Sequence, residues 1–234
     1  MRYNSKFENF IDCVDFTSQD PCVWIVYPPG AAGDLLASIV NFHYGRTACY
    51  YFGITKAGQV IFRPTDSKLS NLKYLSDNTL NLNQNFINDV NSEIGKKNVN
   101  YSLLDQVIFS NHAYEDQQVN SILNFFPKAK IIRIVPKNTL EQQIINWLAS
   151  QKNKATINKF ETSATNNAIA QTEITDSRLL DISLGSIVNH QSFEKTYNNI
   201  INHLDLEYKL IRFDFVQHWL DCQHTEIKPI LATL

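Results

Sequence analysis

Apolar runs alternate with glycine, proline and asparagine along the chain, and the spacing predicts short strands and helices in turn. Val23-Trp24-Ile25-Val26-Tyr27 is apolar throughout, as a strand buried on both faces must be. A turn, Pro28-Pro29-Gly30-Ala31-Ala32-Gly33-Asp34, leads into Leu35-Leu36-Ala37-Ser38-Ile39-Val40-Asn41-Phe42-His43, which reads as a helix. Next, Cys49-Tyr50-Tyr51-Phe52 and Gln59-Val60-Ile61-Phe62 flank Lys56-Ala57-Gly58 and predict a β-hairpin. From about residue 66 to 100 the chain is polar, with Leu69, Leu72, Leu75, then Phe86, Ile87, Val90 and Ile94, which suits one or two surface helices.

A clearer unit follows. Gln106 to His112 reads as a strand and its exit, Asp116 to Phe126 as a helix, and Ala129 to Val135 as a second strand, which Pro136 ends. Asn138 stands three residues before Glu141, a capping-box-like start for a helix with Leu140, Ile144, Ile145 and Leu148 on one side. This β-α-β-α run implies parallel strands with their exits on the edge that carries the glycine turn, so His112, Lys137 and residues 30–34 are expected to converge there. Residues 151–177 are polar and poor in core-forming side chains, the pattern of a lid or inserted segment. Leu179 to Leu184 predicts a last strand ended by Gly185, and Ser192 a cap for a helix through Phe193, Tyr197, Ile200, Ile201 and Leu204. Phe213, Val216, Trp219 and Leu220 mark a final amphipathic helix. With no repeat and no second core, residues 1–234 are expected to form one three-layer α/β domain with a central parallel sheet, a small hairpin and the 151–177 segment as its additions.

Composition narrows the functional classes. A net charge of -2 and a pI near 6.3 give no general attraction to nucleic acid or to anionic membranes. The start of the chain, Met1 to Glu8, has no signal-like apolar run and no window reaches a spanning length, so a cytoplasmic protein is expected. Cys13, Cys22, Cys49 and Cys222 are scattered and read as reduced thiols. His190, His203, His218 and His224 lack ligand spacing with carboxylates or thiols, so no metal is expected.

Candidate chemistry gathers at the turns. Two of the 7 glycines lie within four residues at the head of a helix, the outline of a phosphate-binding loop whose amides attract anions without any side chain. The bland reading of the same loop is a tight connection in which Asp34 caps the helix and complements its dipole. His112 is a candidate general base, since a neutral imidazole takes a hydroxyl proton; the alternative is a turn histidine bonded to backbone. Lys137, at a strand exit, is a candidate phosphate ligand or a solvated surface cation. Arg133, inside an apolar strand, is expected to pair with a carboxylate.

The order of elements resembles the sulfotransferase branch of P-loop proteins, across most of residues 22–220. Tyr27-Pro28-Pro29-Gly30-Ala31-Ala32-Gly33-Asp34 stands for the family's first loop, Phe109-Ser110-Asn111-His112 for its later strand and histidine, and Lys130-Ile131-Ile132-Arg133-Ile134-Val135-Pro136-Lys137-Asn138 for the third motif. The resemblance implies 3′-phosphoadenosine 5′-phosphosulfate as sulfuryl donor, held by Pro29, Gly30, Ala31, Ala32, Gly33, Asp34 and Lys137. It implies His112 as the base and a small-molecule or glycan hydroxyl or amine as acceptor. Pro29 or Ala31 replaces the family's loop lysine, Asp34 its threonine, Ser110 the lysine before the histidine, and Pro136 the arginine of the 3′-phosphate site. Those replacements keep a second reading open, a non-catalytic binding or scaffold protein with the same fold. A P-loop kinase or nucleotide hydrolase is a third, and the missing Gly-Lys-Ser/Thr counts against it.

Overall fold

In the computed structural model the described residues are 15–43, 50–54, 60–64, 80–96, 107–151, 158–162, 174–206, 213–221 and 226–234. Their order is β1 (Cys22–Val26), α1 (Gly33–His43), β2 (Tyr50–Ile54), β3 (Val60–Pro64), α2 (Gln84–Lys96), β4 (Val107–Asn111), α3 (Asp116–Phe125), β5 (Ala129–Ile134), α4 (Thr139–Gln151), β6 (Leu179–Ile182), α5 (Leu184–Val188), α6 (His190–Leu204), α7 (Asp214–Asp221) and α8 (Lys228–Leu231).

One six-stranded sheet has the order β3-β2-β4-β1-β5-β6. All neighbours pair in parallel except β2 and β3, which form the antiparallel hairpin at the edge. Strand β1 lies inside, with Val26 beside Asn111 of β4 on one side and Arg133 of β5 on the other. That burial on both faces explains its unbroken apolar run.

Alternation along the strands separates two cores. Val23, Ile25, Tyr27, Ile108, Ile132 and Ile134 face α1, α4 and the later helices. Trp24, Val26, Phe109 and Ile131 face α2 and α3. On this second face aromatic rings pack against one another: Trp24 stacks on Phe109 at 4.5 Å between centroids and contacts Phe126 and Phe86 at 5.6 and 6.0 Å. Each such pair adds about 1 kcal/mol beyond the area it buries. The three layers and the parallel sheet are those expected from the periodicity.

The two faces decide where a crevice opens. The connection leaving β1 runs to α1 on the first face, and that leaving β4 runs to α3 on the second. Adjacent parallel strands whose exits part to opposite faces make a topological switch point, the position at which open α/β sheets form their crevices.

Boundaries differ from the expectation at three points. Strand β6 stops at Ile182 because Ser183, still extended, is already the cap of α5, its hydroxyl accepting from Ser186 N–H. Helix α6 begins at His190 with Asn189 as its cap, not at Ser192. Within the 151–177 segment, Gln151 ends α4, Asn158 N–H donates to its Oε1 at 2.8 Å, and Phe160 meets the Trp147 ring at 5.5 Å. This part packs on α4; 152–157 and 163–173 lie outside the described residues, as do Leu69, Leu72, Leu75 and the Lys56-Ala57-Gly58 turn.

Candidate functional site

Strand β1 delivers Tyr27 to the crevice, where its N–H continues the ladder by donating to Asn111 O at 3.1 Å. The chain then turns sharply, with Ala31 N–H bonded to Pro28 O and Leu36 N–H to Ala32 O. Gly30 has φ +90, and a Cβ there would stand 2.4 Å from Ile145 O and 2.8 Å from Ala149 N of α4. Glycine is therefore required twice over, by conformation and by close approach. Ala32 takes φ 55, a left-handed conformation that costs a non-glycine residue about 1–2 kcal/mol. Among the described residues the amides of Gly30, Ala32 and Gly33 have no protein acceptor.

Gly33 serves another purpose. A Cβ on it would lie 2.0–2.2 Å from three atoms of the Tyr27 ring, so the ring occupies space that only glycine leaves open. Above that ring the Tyr27 hydroxyl donates to Asp34 Oδ1 at 3.1 Å and lies 2.9 Å from Ser110 Oγ. An ionised carboxylate only accepts, so the phenol proton points to Asp34 and Ser110 donates to the phenol oxygen. Asp34 sits in the first turn of α1, where its charge complements the helix dipole, and its backbone carbonyl accepts from Ser38 Oγ.

His112 follows β4 and is buried, its ring edge-on to Tyr27 with centroids 4.9 Å apart at 84°. Its main chain is set locally: the N–H donates to Asn111 Oδ1 at 2.6 Å and the carbonyl accepts from Tyr114 N–H at 3.0 Å. Loop 28–34 and His112 therefore meet through Tyr27 at one crevice.

Lys137 stands elsewhere on the same edge. Its side chain is exposed, and its N–H donates to Glu141 Oε2 at 2.8 Å. Gly30 touches α4 at Ile145 and Ala149, so the rise of the helix alone puts roughly 9 Å between that contact and the Thr139 end. No contact among the described residues joins the Lys137 side chain to the loop.

Beyond Lys137 the buried charges are structural. Glu141 is fully enclosed: Oε2 takes the Lys137 amide, Oε1 takes the Gly185 amide of α5 at 2.9 Å, and its own N–H donates to Asn138 Oδ1. Half of the expected capping box forms, while the carboxylate reaches past the cap to join two helix starts. Arg133, buried in β5, donates to Asp181 Oδ1 and Oδ2 of β6 at 2.7 and 2.9 Å, to Asp116 Oδ1 at the head of α3 at 2.6 Å, and to Tyr114 O. Burial alone would lower its pKa; its hydrogen bonds to the two aspartates and their negative charges together raise it by more, so the guanidinium stays charged. Cys22 is a buried free thiol that burial pushes far up, hence inert.

Reasoning from the sequence passed over Tyr27 as a site residue, although alternation supplied the signal: Tyr27 shares a face with Ile25, and Ser110 with Ile108, on neighbouring parallel strands. Among the described residues no helix is long and apolar enough to cross a membrane.

No protein-family model matches the chain, and no curated protein matches it by sequence. Among solved structures, the sulfotransferase domain from the Synechococcus PCC 7002 olefin synthase is similar with a TM-score of 0.41 and 14% identity, over 93% of this chain and 88% of that one. The architecture described above rests on the strand order and packing of this chain itself.

Proposed function

We propose that this chain is a sulfotransferase-like protein whose β1–β4 crevice brings an anionic sulfuryl donor to His112. The observation that carries the reading is the meeting of three loop amides without an acceptor among the described residues, a helix N-terminus and a strand-exit histidine at the switch point of a parallel sheet. The fit to a bisphosphate nucleotide comes from the backbone: the amides of Gly30, Ala32 and Gly33 suit a phosphate. Side chains add one exposed ammonium on that edge, Lys137, and one carboxylate, Asp34, engaged by the Tyr27 hydroxyl.

A donor of the phosphoadenosine phosphosulfate class supplies the sulfuryl group. His112 takes the proton of an acceptor hydroxyl or amine as the acceptor bonds to sulfur; the bond from sulfur to phosphate oxygen breaks and its electron pair leaves with the phosphate. Pro29, Gly30, Ala31, Ala32 and Gly33 shape the loop, and Lys137 draws the anion toward the edge.

One observation favours the second reading, a non-catalytic binding protein: the Tyr27 ring fills the slot before Gly33 and places Asp34 where anions would approach. Thermal melting with 3′-phosphoadenosine 5′-phosphate decides between them. A ligand at a hundred times its Kd stabilises by about 2.7 kcal/mol, a rise of several degrees for a domain of this size. The sulfotransferase reading expects that rise and none with ATP and Mg²⁺; no rise at millimolar nucleotide supports the non-catalytic reading.

A further inference from the structure

We propose that Tyr27 is the positioning residue of this crevice: latched at its hydroxyl between Asp34 and Ser110, its ring sets the plane of the His112 imidazole. The inference rests on the reading of His112 as proton acceptor and deepens it.

Three observations lead to it. The Tyr27 ring is enclosed, and it lies so close to Gly33 that any side chain there would displace it. Its hydroxyl is held from two elements, by the carboxylate of α1 and the serine of β4, so the ring's position follows from both. The His112 main chain is already fixed by Asn111 and Tyr114, which leaves the imidazole only its two side-chain torsions, and the near-perpendicular Tyr27 ring lies across that motion. The latched Tyr27 ring limits those two torsions and so helps to hold the proton-accepting nitrogen in one place. The ionisable groups around the crevice are Asp34 on α1, Tyr114, Glu115 and Asp116 in the turn after β4, and Arg133, which reaches the Tyr114 carbonyl and is neutralised by Asp116 and Asp181.

The test is imidazole NMR on the full chain, with the His112 signal assigned by its loss in His112→Asn. Tyr27→Phe keeps the ring and removes the latch. Its expected effects are loss of the cross-relaxation contact between ring 27 and ring 112, and a shift of the His112 titration midpoint by about half a unit, with His190 and His203 unmoved. Asp34→Asn retains an oxygen acceptor for the phenol and is expected to retain the ring contact. An unchanged contact and midpoint in folded Tyr27→Phe overturns the proposal. Should that variant not fold, Ser110→Ala, which removes one latch, is expected to weaken the same contact by about half, and no change there overturns the proposal equally. These readouts need no ligand. A wild type that ignores the nucleotide but shows the latch refutes the sulfotransferase reading alone, whereas nucleotide binding with no latch refutes only the role of Tyr27.

Discussion

The sheet carries buried polar groups at two exits, and they are used differently. At the β5–β6 exit Arg133 is bonded to two carboxylates and a carbonyl, and Glu141 to two amides from separate helix starts. Every group there is engaged in joining one element to another. At the β1–β4 exit two hydroxyls lead to a carboxylate, Ser110 to Tyr27 to Asp34, with a histidine ring laid against them and a loop in which the amides of Gly30, Ala32 and Gly33 have no acceptor among the described residues. A group whose bonding capacity is filled by its own fold has none left for a ligand. The contrast directs the search for chemistry to the first crevice and away from the region with more charge.

The contrast can be broken at its strongest point with Arg133→Met. Removing one member of a buried ion pair costs about 3–5 kcal/mol. Here Asp116 and Asp181 are 36% and 29% exposed and regain water, so a loss of about 3 kcal/mol is expected, read from the urea midpoint at unchanged slope. A loss below about 1 kcal/mol would make this a surface pair and remove the distinction. Glu141→Gln comes next. The amide retains one acceptor oxygen but presents an N–H to the second backbone donor, so about 2 kcal/mol of stability is expected to go, with no effect on anion binding.

The smallest stability change is expected at the other exit. Asp34→Ser loses the Tyr27 bond and the favourable charge at the head of α1, together about 1 kcal/mol. It also removes a like charge from the approach of an anion, and phosphate or the bisphosphate nucleotide is expected to bind about fivefold tighter, measured by titration at fixed ionic strength. Strong binding by wild type that collapses in the variant would show that the carboxylate helps to build the crevice rather than opposing its ligand.

What the sequence makes legible follows the range of the forces involved. Strand β1, helices α1, α3 and α4, and the parallel order can be read because each is signalled within a dozen residues, as by the Val23–Tyr27 run or the Asn138 and Glu141 pair. Arg133 is legible as a paired residue, yet its partners Asp116 and Asp181 are not, because strand order alone brings them together. The same limit hides the reach of Glu141 to Gly185 and the seating of Tyr27 on Gly33 and Ser110. In the candidate site, the loop and His112 adjoin as the topology predicts. Lys137 shares the edge without joining them, because an edge is wider than one contact. Short α5 is missed because five residues are too few to establish a period, although Leu184, Ile187 and Val188 have helical spacing and Ser183 and Ser186 form a recognisable capping pair.

The strand order has a consequence for how the protein is made. Strand β1 leaves the ribosome before both of its neighbours, which come from residues 107–111 and 129–134, some eighty residues or more later. At ordinary translation rates of about 5–20 residues per second the apolar faces and unpaired backbone edges of Cys22–Val26 wait roughly 4–17 seconds for their first partner. Local contact with α1 covers only one face of the strand in that interval, and pairings this distant in sequence close slowly. A strand central to the finished sheet is thus, in the nascent chain, a long-standing exposure to aggregation and a reason for a chaperone.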